Sequence, residues 1–188
     1  ILGYLDFSLE REAIKQLDQN KSKAIKTARE IVAKIDTHVT KIVHDIVKAD
    51  KIPIIIGGGH NNAYGNLKGT SLALNKPINA INFDAHTDFR NEEGRHSGNG
   101  FSYAFSEGFL KKYFVFGLHE NYTPQSIFDK IKKQKTIHYN TYEAIEIRKE
   151  LKFNSEINKA LDFISDSPFG IEIDCDAIEN IPSSAQTP

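Results

Sequence analysis

Ile78-Asn79-Ala80-Ile81-Asn82-Phe83-Asp84-Ala85-His86-Thr87-Asp88 is the stretch that decides the fold. Six largely apolar residues run straight into an Asp-x-His-x-Asp triplet, as a buried parallel strand does on reaching its polar loop. The same pattern predicts a strand over Pro53–Ile56 entering Gly57-Gly58-Gly59-His60, and one over Tyr113–Leu118 entering His119-Glu120-Asn121. It also predicts a strand over Pro168–Ile173 leading to Asp174-Cys175-Asp176, and shorter strands over Ile1–Phe7 and Thr136–Tyr139.

Helical spacing fills the intervals. Ile25, Ala28, Ile31, Val32, Ile35, Val39, Ile42, Val43, Ile46 and Val47 repeat at three and four, predicting one helix over Lys21–Lys48 with a buried stripe. Further helices are predicted over Leu9–Asp18 after Ser8, over Asn61–Leu74, from Thr123-Pro124 through Lys133, after Thr141, and over Ser155–Ile164 capped by Asn154. Gly65 and Gly69 weaken the Asn61–Leu74 prediction, since each costs about 1 kcal/mol relative to alanine within a helix. Strands alternating with helices predict an α/β fold of three αβα layers around a mainly parallel sheet, with the chemistry beyond the carboxyl ends of the strands.

The 188 residues suit one domain over 1–188, and no repeat or linker divides them. With 24 Lys and Arg against 25 Asp and Glu, nothing favours nucleic acid or an acidic membrane. The single Cys175 allows no internal disulfide, and no segment reads as a signal peptide or membrane span, so a cytoplasmic protein with a small polar substrate is expected. The opening at Ile1 and the loop-like run Pro182–Pro188 lead us to expect a fragment whose sheet continues with later strands.

Both carboxylate motifs place acids at alternate positions, and extended backbone sends alternate side chains to one side. Asp84, His86 and Asp88 are expected to converge, as are Asp174 and Asp176, with Cys175 between them turned away into packing. His60 follows three glycines that let backbone approach a site closely. Singly, a loop histidine or a strand-end aspartate is ordinary. A buried Asp-x-His-x-Asp is less so, because burying like charges costs several kcal/mol per ion unless a cation compensates. Two imidazoles and four carboxylates make an oxygen-rich set suited to manganese, and carboxylates that bridge favour two ions. His38, His44 and the Lys132-Lys133 pair carry no such pattern.

Gly58-Gly59-His60, Asp84-Ala85-His86-Thr87-Asp88 and Asp174-Cys175-Asp176, in this order, resemble the motifs of the ureohydrolases, the superfamily of arginase, agmatinase and formimidoylglutamase. The resemblance implies a hydrolase with two Mn2+ ions held by His60, Asp84, His86, Asp88, Asp174 and Asp176, and Asp88 also contacting the attacking hydroxide. Arg95-His96-Ser97-Gly98-Asn99 is similar to the loop carrying the substrate clamp and a catalytic histidine, which makes His96 the expected proton shuttle and Arg95, Ser97 and Asn99 substrate contacts. His119 and Glu120 fall where another loop touches substrate, and His119 replaces the arginine common in arginases. Glu179 and Asn180, after the last carboxylate pair, bring formimidoylglutamase-like members nearest.

The resemblance thus implies hydrolysis of N-formimidoyl-L-glutamate to formamide and L-glutamate, a step of histidine breakdown, with Arg90, Arg95 or Asn99 at the substrate carboxylates and homo-oligomers as a family habit. Agmatine or arginine is the alternative substrate, kept open by Glu92, Glu93 and Glu120. A metal-binding pseudoenzyme and a metal-free domain with acidic helix caps are the readings from other classes.

Overall fold

In the computed structural model, which describes residues 2–18 and 21–181, four parallel strands pair in the order β3-β2-β1-β4. They are β1 (Ile78–Phe83), β2 (Leu110–Leu118), β3 (Ile137–Thr141) and β4 (Phe169–Ile173). β1 lies between β2 and β4, with Ile81 opposite Phe114 on one side and Ile171 on the other. Because all pairings are parallel, every strand ends at the same edge of the sheet. Asp84, His119 and Asp174 follow there directly, so the strand pattern read from sequence delivers its polar termini to one place.

Alternation along the strands feeds two cores. Ala80, Tyr113, Val115 and Leu118 meet Leu67 of α3 (Asn62–Leu74), Phe101 of α4 (Gly100–Ser106) and Ile131 of α5 (Gln125–Lys132). Ile81, Phe114 and Phe116 face the other way, onto Ala160 and Ile164 of α6 (Phe153–Ile164) and Ile145. The three αβα layers follow from these two faces. α1 (Ser8–Lys15) and the long α2 (Ser22–Lys48) precede them, and α2 packs on α3.

Gly65 and Gly69 are the reason that packing is close. A Cβ on Gly69 would stand 2.6 Å from the Thr40 carbonyl oxygen and 3.0 Å from the His44 nitrogen, and one on Gly65 would stand 2.7 Å from Val39 Cγ1. The helix-weakening glycines therefore form the surface on which α2 rests.

Several expectations are corrected. Residues 2–7 form no strand, and Ile1, like the run Pro182–Pro188, lies outside the described residues. Pro53–Ile56 is not a strand either: no described segment pairs with it, and Ile54 and Ile56 are 86% and 93% exposed. Apolar residues make a strand only when a neighbour accepts their backbone hydrogen bonds. The stripe of α2 leaves Ile25 and Ile42 exposed and instead buries Asp36 beside Val39 and Val43. Thr141 does accept the Ala144 N–H at 3.3 Å, but the following turn, Glu143–Ile147, is π-helical. Cys175 is exposed rather than packed, since it falls in a 3-10 turn beyond the strand. No helix of the described residues is long and apolar enough to cross a membrane.

Candidate metal centre

Asp84 leaves the end of β1 fully buried and already oriented. One carboxylate oxygen accepts the His86 backbone N–H at 2.7 Å, and the other accepts the Asn82 side-chain amide at 2.8 Å. Asn82 also donates to the Tyr113 hydroxyl at 3.2 Å, which in turn donates to the Thr87 carbonyl at 2.9 Å. Asp88 closes the loop at φ 42°, a conformation more natural to glycine, which turns its carboxylate back toward Asp84. At the end of β4, Asp174 caps the 3-10 turn Cys175–Ala177 by accepting the Asp176 N–H at 3.2 Å. Gly57 and Gly58, at φ 86° and 84°, bend the chain ahead of α3 and bring His60 across the same edge.

These side chains meet in two groups. His60 Nδ1 lies 2.7 Å from Asp88, 2.8 Å from Asp174 and 3.6 Å from Asp84. His86 Nδ1 lies 2.9 Å from Asp176 and 3.5 Å from the other oxygen of Asp84. Ligand atoms of His60, Asp84, Asp88 and Asp174 fall within 4.8 Å of one another, as do those of Asp84, His86 and Asp176. Asp84 belongs to both groups. The alternate-side expectation is refined here: the members of each motif do not share one point, because loop and turn geometry sends Asp174 and Asp176 to different groups.

The electrostatics fit a divalent ion in this set. Burial pushes the Asp84 carboxyl up to about 7 against the pull of His86 and His60. Burial alone would lower His60, yet the carboxylates of Asp174, Asp88 and Asp84 outweigh it and push the imidazole up to about 11. Asp176 and Asp84 push His86 up to about 10. The oxygens near His60 nevertheless sit off the direction of an N–H bond, and neither ring nitrogen meets hydrogen-bond geometry. A buried imidazole crowded by carboxylates without bonding to them is placed as a ligand is beside a cation, and hard oxygens dominate the set.

The remaining expected site residues divide differently. Arg95 and Asn99, expected at substrate, are buried. Arg95 Nε bonds Asp36 at 2.8 Å, its other nitrogens bond Asn99 Oδ1 and the carbonyls of His96 and Asn61, and its guanidinium lies 4.9 Å from the centre of the Tyr64 ring. Asn99 donates to the carbonyls of Asn91 and Gly94. Together they pin the 91–99 loop to α2 and to the residue after His60. Burial pushes the Asp36 carboxyl up to about 6 despite Arg95.

His96 lies outside both ligand groups, where its Nδ1 accepts the Gly98 N–H at 3.1 Å. Ser97 lines a cavity of about 610 Å3 against α1 and α2, together with Arg90 and His96. The Glu120 carboxylate is engaged by Arg148 at 2.8 and 3.0 Å and by Thr141 at 2.9 Å. Among these expected substrate residues, only His119 lines the cavity of about 500 Å3 that also reaches Asp176.

Three residues near the ligands escaped the sequence reading. Asn82 and Glu172 each stand two positions before a ligand on a strand, which puts them on its side of the sheet, and Glu172 lies 3.9 Å from His60 Nε2. That spacing was legible. Tyr122 stacks on His86 from a separate loop, and no spacing announces it.

Comparison with known proteins identifies the family. The pattern that defines the Arginase family matches residues 4–184. The formimidoylglutamase of Streptococcus gordonii is 31% identical over 182 residues, covering 90% of this chain and 49% of that protein, so the chain spans about half the length of this curated relative. Among solved structures, formimidoylglutamase from Bacillus subtilis superposes with a TM-score of 0.68 at 24% identity, over 77% of this chain and 46% of its own. Trypanosoma cruzi formiminoglutamase with Mn2+2 superposes at 0.61 with 20% identity, over 70% and 45%.

Proposed function

Because this chain belongs to the Arginase family, we propose that it forms the centre of a dinuclear manganese hydrolase cutting a C–N bond of a linear amidine, with N-formimidoyl-L-glutamate as substrate and formamide and L-glutamate as products. The observation that carries the proposal is the sharing of Asp84 between two ligand groups, which would let one carboxylate serve two ions. The names of the relatives at about 30% identity support the choice of substrate.

His60, Asp88 and Asp174 would hold one ion, His86 and Asp176 the other, and Asp84 both. Manganese, when bound, supplies Lewis acidity that can bring the pKa of water from about 15.7 toward about 7. Asp88 accepts a hydrogen bond from the attacking water, and Asn82 and the His86 amide keep Asp84 from turning. The amidine carbon would approach from the cavity lined by Asp176 and His119. Burial lowers the His119 pKa more than Glu143 raises it, and the ring lines the same cavity as Asp176, where it would offer a hydrogen-bonding partner. Arg95 and Asn99 act by fixing the loop that carries His96 and Ser97.

One observation favours a second reading, a cationic guanidine such as agmatine. Among the described residues, the cavity beside Asp176 is lined by Glu146 and Glu179 and by no lysine or arginine, which suits a cation better than a dicarboxylate. The deciding experiment supplies the full-length, manganese-loaded protein with formimidoylglutamate, agmatine and arginine in parallel, with a chelated control. Metal-dependent formamide release is expected; urea release instead would replace the substrate, and no turnover of any of the three would overturn the hydrolase reading.

A further inference from the structure

Four rings form a column at the edge of the candidate centre. His86 stacks on Tyr122 with centroids 5.4 Å apart and planes at 22°, Tyr122 on His119 at 5.3 Å and 11°, and His119 on Tyr142 at 4.6 Å and 14°. We propose that this column is a positioning device for His86, which sets the affinity of one metal group without touching the other; the proposal rests on the two-ion reading above.

The two histidine ligands are supported differently. His60 is backed by the core, its ring edge-on to the buried Phe101 at 5.8 Å. His86 stands on a loop, and its side chain keeps 34% of its accessible surface. Its Nδ1 contacts to Asp176 and Asp84 restrain the ring at one corner only, and rotation about the bond to the ring would carry the nitrogen away from both acids. A flat ring stacked on its face opposes that rotation. No hydrogen bond from the Tyr122 hydroxyl to another described residue takes part, so the aromatic face is what matters.

The base of the column is built rigidly. Tyr142 enters the π-helical turn Glu143–Ile147, and the Glu143 carboxylate accepts the Glu120 N–H with both oxygens at 3.1 Å. The Glu120 carboxylate is held by Thr141 and Arg148. The His119 N–H donates to the Ala85 carbonyl at 3.0 Å, which ties the column to the ligand loop itself. Single π-turns are rare and frequently lie at functional sites. Here the turn directs Tyr142 and Glu143 together onto the 119–122 loop, and Glu120, expected at substrate, becomes an anchor.

The test compares full-length wild type, Tyr122→Leu and Tyr122→Phe by manganese titration, with bound metal counted and the Mn2+ paramagnetic resonance spectrum recorded, beside metal-free melting curves. Wild type should bind two ions with a coupled spectrum. Tyr122→Leu should keep one ion at wild-type affinity and weaken the other by on the order of 10- to 100-fold, giving a mononuclear spectrum, with metal-free melting unchanged because Tyr122 is 39% exposed. Tyr122→Phe should restore the coupled spectrum, and Tyr142→Leu, two rings away, should weaken the same ion less. Two ions at wild-type affinity in Tyr122→Leu, or equal loss in the Leu and Phe variants, would overturn the column. Failure of wild type to bind two ions would overturn the two-ion reading and the column with it.

Discussion

Asp84→Asn should move the stability of the metal-free and metal-loaded protein in opposite directions. Burial pushes the Asp84 carboxyl up to about 7, and at about 1.36 kcal/mol per pKa unit its ionisation costs the metal-free fold several kcal/mol. The sign follows from proton counting. A group whose folded pKa lies above its unfolded value contributes stability at low pH and loses it as pH rises through the folded value, here about 7. At pH 8 wild type bears that cost, and the amide does not. Against the gain stands one lost acceptor: the new amide can still accept from the His86 N–H, but it faces the Asn82 side-chain amide now at 2.8 Å. That mismatch costs about 1–3 kcal/mol unless Asn82 turns over.

The metal-free variant should therefore melt at or above wild type at pH 8, and its advantage should shrink by about 1.4 kcal/mol per pH unit from pH 7 down toward pH 4, since between those values the wild-type carboxyl is protonated in the fold and ionised on unfolding. With manganese at a hundredfold excess over its dissociation constant, wild type gains about 2.7 kcal/mol per ion. At about 2–4 °C per kcal/mol for a domain of this size, that is about 5–11 °C per ion. The variant, deprived of the shared carboxylate, should lose most of this shift. Scanning calorimetry across this pH range, with and without manganese, reads both effects. A variant that keeps the full manganese shift, or that falls well below wild type at pH 8 without metal, would refute the assignment of Asp84 as a buried bridging ligand.

Three further outcomes are expected. Gly69→Ala should cost about 1–3 kcal/mol in urea denaturation, because its Cβ would lie 2.6 Å from backbone that can yield only by moving α2, and the helix-propensity gain of about 1 kcal/mol does not cover that. Asp36→Ala should cost about 3–5 kcal/mol by leaving Arg95 buried without its charge partner, and a loss under 1 kcal/mol would show that the pair is not holding the 91–99 loop. Manganese affinity should rise from pH 6 to pH 9 with proton release, since the imidazoles of His60 and His86, held near 11 and 10, must shed their protons to bind metal. Calorimetric titration in buffers of different ionisation enthalpy measures that release, and none at pH 7 would contradict the placement of both histidines.

How much was legible in sequence depended on range. Ile78–Phe83 announced itself as a strand because its partners, Tyr113–Leu118 and Pro168–Ile173, share its pattern, and the structure pairs it with both. Pro53–Ile56 has the same local signal and no pairing neighbour among the described residues, and local pattern cannot register a missing neighbour. Asp84, His86, Asp88, Asp174 and Asp176 could be read as candidate ligands because they follow the ends of β1 and β4, and His60 because it follows three glycines, although the stretch before them is no strand. What could not be read was the division of labour among polar residues brought together from a distance. Arg95 sits in a loop that resembles a substrate clamp, but its partner Asp36 lies 59 positions away inside an amphipathic stripe, where an acid is easily taken for a solvated face. Glu120 was placed at substrate for its position after β2, and only the fold brings Arg148 to it.

The two ligand groups are unequally supported, and the inequality comes from the order of elements along the edge. His60, Asp88 and Asp174 draw on β1, β4 and the turn before α3, and His60 is backed by Phe101 in the core. His86 and Asp176 depend on a loop and a 3-10 turn, with the His86 ring steadied by residues after β2 and β3. Asp84 joins a group preorganised by packing to one preorganised by stacking. A ligand set that is already fixed gives up less freedom on binding, so the His60 group should hold its ion more tightly and the His86 group should govern whether the pair is complete. The same edge exposes the His86 group to the cavity shared by Asp176 and His119. On the proposed reading the weaker site would be the one nearest that cavity, and a small polar molecule entering there would meet the ion whose hold depends on the aromatic column.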